Sequence, residues 1–108
     1  MHTYFTLAED GVTVIPHHTY PILGEDRRVA ETLLSDEVWI STVFLCLDHS
    51  YNGDLPLVFE TMVFFKGSDA GMWRYSTWEQ ALRGHWSVVT KLRRQRLQGK
   101  KEWWLVEE

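Results

Sequence analysis

Two long apolar segments separated by a polar turn dominate the middle of the chain. They run from Trp39 to Phe65 and read WISTVFLCLDHSYNGDLPLVFETMVFF. In the first, Val38 to Leu47, one alternating set is Val38, Ile40, Thr42, Phe44 and Cys46. The other set is Trp39, Ser41, Val43, Leu45 and Leu47. Neither set is a solvent face, so the pattern predicts a central strand. Pro56 closes the polar loop, and Leu57 to Phe65 predicts the next strand. A tight turn centred on Asn52-Gly53 would set Leu45 opposite Glu60 and His49 opposite Pro56.

The flanking segments extend this pattern on both sides. Thr3–Leu7 and Val12–Ile15 are short β-prone runs joined by Asp10-Gly11, a hairpin signal. Pro16 and Pro21 hold the following stretch away from helix, which predicts an irregular connection. Arg27–Leu34 fits a short helix or a strand. We favour the strand, because Ser35-Asp36-Glu37 then makes the shortest hairpin into Val38. Lys66 to Gly71 forms a turn cluster, and Met72–Tyr75 a further short strand.

Ser76 and Glu79 have the spacing of a capping box, which predicts a helix from Thr77 to Arg94. Its apolar stripe is Trp78, Ala81, Leu82, His85, Val88, Val89 and Leu92, at spacings of three and four. Gly84 costs about 1 kcal/mol in a helix interior, which close approach to the sheet would explain. The expected fold is therefore α+β: an antiparallel β-meander with one long C-terminal helix packed on one face. One domain is expected over 1–108. It divides into an N-terminal hairpin and loop (1–24), a core sheet (27–76), the helix (77–94) and a basic, tryptophan-bearing tail (95–108). One helix covers one face only. The second face calls for another cover: the Trp103-Trp104-Leu105-Val106 patch, or a second copy of the chain in a two-fold homodimer.

Composition narrows the partners. The net charge of −4 disfavours a phosphate backbone as the main ligand. Lys91, Arg93, Arg94, Arg96, Lys100 and Lys101 are clustered, but cations near a helix C-terminus are favoured on their own account. Nucleic acid is thus not expected, except through that stretch. Six Trp, four Tyr and five Phe in 108 residues make a heavy aromatic payload of the kind enriched at interfaces. One cysteine, Cys46, excludes an intrachain disulfide and lies mid-strand as a small hydrophobe. No apolar run reaches the length of a membrane span, and the N-terminus lacks a signal-peptide pattern. The chain reads as cytoplasmic.

Candidate chemistry is sparse. Asp48-His49 at a strand end, with Glu60, His85, His17 and His18, can be imagined as metal ligands. The expected register, however, sets His49 and Glu60 about 13 Å apart, at about 3.3 Å per residue. Hydrogen bonding of Asp48 and His49 to loop backbone is the simpler role. Glu60, polar in an apolar strand, fits an ion pair with Arg74, and His85 fits a core histidine bonded to backbone. Glu60 and His85 together offer an acid–base pair, because the helix has to pack on this sheet. No HExxH, CxxC or P-loop pattern is present, and no cofactor is expected. Candidate binding residues are Trp103, Trp104, Asp48, His49 and Tyr51. The adjacent tryptophans are costly unless they dock, on the chain's own sheet or on a partner.

At STVFLCLDH (Ser41–His49), FETMVF (Phe59–Phe64) and RYSTWEQALRGH (Arg74–His85) the chain resembles a family of small uncharacterised proteins encoded mainly by bacteriophages and prophages. The family pattern is STVFLGLDH, a Gly/Pro-rich loop, PLxFETMVF and RYSTWEEAxxGH. The resemblance covers about residues 27–94. Cys46 stands where the pattern has Gly, Asn52-Gly53-Asp54 replaces the Gly/Pro run, and the tail after Arg94 departs most. The resemblance implies a phage context inside a bacterial host and brings no known activity.

The favoured expectation is a non-enzymatic accessory protein that binds a host or phage protein and blocks a defence system such as a CRISPR effector. The alternatives are a small metal-binding or hydrolytic enzyme using Asp48, His49, Glu60 and His85, and a minor virion component.

Overall fold

The computed structural model describes residues 4–19, 27–50 and 55–97. Its elements are β1 (Tyr4–Leu7), β2 (Val14–His17), β3 (Arg28–Ser35), β4 (Val38–Phe44), β5 (Phe59–Phe65), β6 (Ser68–Tyr75) and α1 (Trp78–Leu97). The antiparallel sheet has the order β3-β4-β5-β6, and β1-β2 forms a separate hairpin. The fold is the α+β meander with one C-terminal helix on the sheet. The hairpin is tied to the end of β4 by the Tyr4–Leu47 bridge and by the Phe5 amide, which donates to the Cys46 carbonyl at 2.8 Å.

Local chemistry moves several boundaries. β2 begins at Val14, not Val12, because Asp10 Oδ1 accepts from the amides of both Val12 and Thr13 at 2.8 Å and holds them in the turn. β2 then runs through Pro16, where an irregular connection was expected. Among the described residues β2 pairs only with β1, and proline is tolerated on such an edge. The turn expected over Lys66–Gly71 shrinks to Lys66-Gly67. Both residues have positive φ, 52° and 82°, the backbone of the tight turn whose twist matches a hairpin. β6 consequently starts at Ser68.

β4 ends at Phe44, three residues short of the expected Leu47. Cys46 has φ 71°, a left-handed conformation that costs an L-residue about 1–2 kcal/mol and glycine little. The kink also shifts the register. Val43, not Leu45, lies opposite Glu60, and the His49 amide donates to the Leu57 carbonyl at 3.1 Å. Asn52 and Gly53 lie outside the described residues.

α1 begins one residue later than the capping signal implied. Thr77 Oγ1 accepts from the Gln80 amide at 3.1 Å, and Gln80 Oε1 accepts from the Ser76 and Thr77 amides. The box is thus Thr77/Gln80, not Ser76/Glu79. The helix buries Ala81, His85, Val88, Val89 and Leu92 against Val38, Ile40, Phe44, Phe59 and Val63. Each large aliphatic or aromatic side chain so buried contributes about 1.5–3 kcal/mol. Leu82, expected in this stripe, is exposed. Gly84 sits under the Tyr75 ring so closely that a Cβ would overlap it. The three register irregularities add an extra residue to β3 twice and to β6 once, so they all fall on the two edge strands.

Candidate functional site

The helix occupies one side of the sheet. The other side is built from the alternate residues of the same strands. Register arranges it in three rows across the sheet: Leu33, Trp39, Phe64 and Asp69; then Glu31, Ser41, Met62 and Met72; then Arg28, Val43, Glu60 and Arg74. The first row and its neighbour Met72 hold a cluster of large apolar side chains in water. Leu33 is 70% exposed, Met72 50% and Trp39 39%. Among the described residues, this is the face that the helix leaves uncovered.

Trp39 is held on two sides. Its ring stacks on Phe64 with centroids 5.0 Å apart, and its Nε1–H donates to Glu31 Oε2 at 3.0 Å. Glu31 in turn pairs with Arg28 at 3.1 Å. A shallow groove of about 420 Å³ opens beside it, lined by Arg28, Glu31, Trp39, Ser41 and Val43 among others. A large aromatic held in one orientation loses little entropy on binding, which is what an interface anchor needs. The alternation on β4 foretold an apolar second face. It did not single out Trp39, because its partners Glu31 and Phe64 come from different strands.

The remaining candidates do not converge. Glu60 accepts from Arg74 Nε at 3.1 Å on this open face, as the ion-pair reading expected. His85 is buried on the opposite side, under the helix. Glu60 and His85 therefore do not form an acid–base pair. His85 bonds hydroxyls rather than backbone: Nδ1 is 2.8 Å from Thr42 Oγ1 and Nε2 is 2.9 Å from Thr32 Oγ1, and Thr42 also bonds Thr61. Burial holds the imidazole below its ordinary pKa, which favours the neutral ring.

Asp48 is a loop clamp. Its Oδ1 accepts from the Ser50 amide at 2.8 Å and from the Leu57 amide at 3.0 Å. Burial alone would raise this carboxyl, but the bonds from Ser50 and Leu57 and the neighbouring His49 outweigh it and hold it below its ordinary value. Asp48→Ala is expected to cost about 1–2 kcal/mol, because two loop amides lose their shared acceptor. Urea unfolding at neutral pH measures it, and Asp48→Asn, which keeps an oxygen, is expected to cost less.

His17 and His18 stack on each other at the end of β2, 5.2 Å between centroids, and His17 Nδ1 lies 2.8 Å from the Thr19 carbonyl. Cys46 is buried, which pushes its thiol up despite Arg27 nearby. Tyr51, Trp103 and Trp104 lie outside the described residues. Among the described residues no three His, Cys, Asp or Glu side chains are placed to hold a metal ion, and no helix is long and apolar enough to cross a membrane. A second concavity of about 590 Å³, lined by Phe5, Val14, Pro16, Leu55 and Trp78 among others, lies between the β1-β2 hairpin and the start of α1. Nothing in the sequence pattern signalled it. No protein-family model, curated protein or solved structure matches the chain.

Proposed function

We propose that this protein is a phage-type accessory protein that acts inside a bacterial host by binding another protein through the open face of its sheet. Inhibition of a host defence system, such as a CRISPR effector, is the role we assign to that binding. One observation carries the reading: Leu33, Trp39 and Met72 stand exposed on one side of a regular sheet, with Trp39 already fixed by Phe64 and Glu31. Isolated exposed apolar residues are ordinary, whereas contiguous ones mark interaction surfaces. The acid–base alternative has no such support, because its two residues lie on opposite sides of the sheet. The phage context rests on the resemblance alone.

Trp39→Asp tests the reading. Expressed with a tag in the bacterial host, the wild-type chain is expected to retain a partner stoichiometrically. The variant is expected to lose at least about 2 kcal/mol of affinity, roughly 30-fold. Leu33→Asp, at the most exposed position, is the companion variant. Equal partner recovery with folded Trp39→Asp and Leu33→Asp chains would sink the proposal.

A further inference from the structure

We infer that the outer face of α1 is a second docking surface, and that its occupant is an acidic peptide segment of another protein with apolar side chains between its carboxylates. The inference goes beyond the reading of the open sheet face. The two surfaces lie on opposite sides of the sheet and stand or fall separately.

The helix has two sides of different chemistry. Ala81, His85, Val88, Val89 and Leu92 are buried against the sheet. Leu82, Arg83, Trp86, Thr90, Arg93 and Arg94 are exposed. Their spacings of three and four set them along the opposite side. From Leu82 to Arg94 this stripe runs about 18 Å, at 1.5 Å per residue. Trp86 is 49% exposed, and Leu82, one turn before it, 37%. The Trp86 ring stands edge-on to the buried His85, with centroids 4.9 Å apart and planes at 82°. Its orientation is thus supported before anything binds. The Thr90 hydroxyl donates to the Trp86 carbonyl at 2.8 Å and is already satisfied.

Charge sets the class of partner. The chain as a whole carries −4. The described side chains of α1 nevertheless bring Arg83, Lys91, Arg93 and Arg94 against Glu79 alone. Arg83 lies 3.8 Å from Glu79, with the two side chains 72% and 79% exposed, and such a pair is weak in water. Among the described residues no carboxylate pairs with Arg93 or Arg94. The helix dipole favours cations in the last turns, but it gives no reason for an exposed Leu82 and Trp86 in the same stripe. Arginine forks hold carboxylates by two hydrogen bonds at a time. Tryptophan and arginine are also the residue types that most often anchor protein interfaces.

A phosphate backbone is anionic too, but it fits less well. The stripe is convex, whereas a single strand is tracked by a groove. The acidic remainder of the molecule repels a polyanion. Leu82 offers nothing to a phosphate, while beside Trp86 it seats an apolar side chain of a peptide.

The test titrates the full chain into a fluorescein-labelled peptide of repeated Glu-Glu-Leu-Phe units and reads anisotropy. Binding is expected, and at least about tenfold weaker binding when every glutamate of the peptide is glutamine. Arg93→Gln/Arg94→Gln and Trp86→Ala, all at exposed positions, are each expected to weaken it about tenfold, with thermal unfolding confirming that the chains are folded. Trp39→Asp, on the other side of the sheet, is expected to leave it unchanged. No binding, equal binding of the two peptides, or unaltered binding by both helix variants would overturn the inference. So would a loss with Trp39→Asp, which moves the peptide to the open face. An oligothymidylate that binds more tightly than the peptide and responds to the same substitutions would overturn it in favour of nucleic acid. A dimer in light scattering that Trp86→Ala dissolves would overturn it in favour of a second copy. The open-face reading fails through its own variants, Trp39→Asp and Leu33→Asp, whichever way this titration falls.

Discussion

Replacing His85 with alanine is expected to destabilise the protein by about 2–5 kcal/mol, the range for emptying a large buried side chain. The cost has two parts. The imidazole fills space under the helix with no exposure at all. It also closes a polar chain through Thr32, Thr42 and Thr61, one residue from each of β3, β4 and β5. Removing the ring leaves hydroxyls of two strands without a shared partner under the helix. His85→Leu fills the volume but not the bonds and is expected to fall between wild type and alanine.

The same residue sets a pH response whose sign follows from its environment. Among the described residues the ring's hydrogen-bond partners are threonines, not charged side chains. The folded pKa is lowered by burial. As pH falls below about 6.5 the unfolded chain takes up a proton that the folded chain refuses. Stability from this group is therefore complete above that pH and lost as pH drops towards the folded value, by up to about 1.4 kcal/mol per pH unit. Unfolding midpoints from pH 8 to pH 5 measure the slope. His85→Gln, which can still bond hydroxyls but does not titrate, is expected to flatten it; an unaltered slope would remove His85 as its source.

Gly84→Ala is expected to destabilise by about 1–3 kcal/mol, the range for overpacking, although helix propensity alone predicts a gain of about 1 kcal/mol. The sign is decided by Tyr75, whose ring occupies the place of the missing Cβ. A Gly84→Ala/Tyr75→Leu pair is expected to recover much of the loss, since the two sites share one contact. Thermal unfolding of the four chains completes the cycle.

The order of strands, the single helix and the apolar second face were all legible from alternation and from spacings of three and four. The Glu60–Arg74 pair was legible too, because a carboxylate in an apolar strand needs a cation within one strand of it. What escaped was chemistry that crosses elements or bends the backbone. Alternation carries no signal of φ, so the kink at Cys46 was invisible and the register was misplaced by two residues. Lys66-Gly67 was read as part of a broad turn because Ser68, Asp69 and Ala70 look like loop residues, yet two positive φ values close the hairpin within two positions. His85 was placed on the buried stripe, but its threonine partners, Thr32 and Thr42, belong to two strands whose alignment had first to be known.

The edge strands give a final consequence. An incoming strand reads its neighbour by an unbroken ladder of amides and carbonyls. β3 interrupts that ladder twice within eight residues, and β6 interrupts it once, while the central strands stay in step with each other. Bulges on the rim of a regular sheet make its margins poor templates. The four-stranded sheet thus resists sideways growth at its margins, while the apolar cluster of Leu33, Trp39 and Met72 lies on its flat side, where contact is finite and saturable.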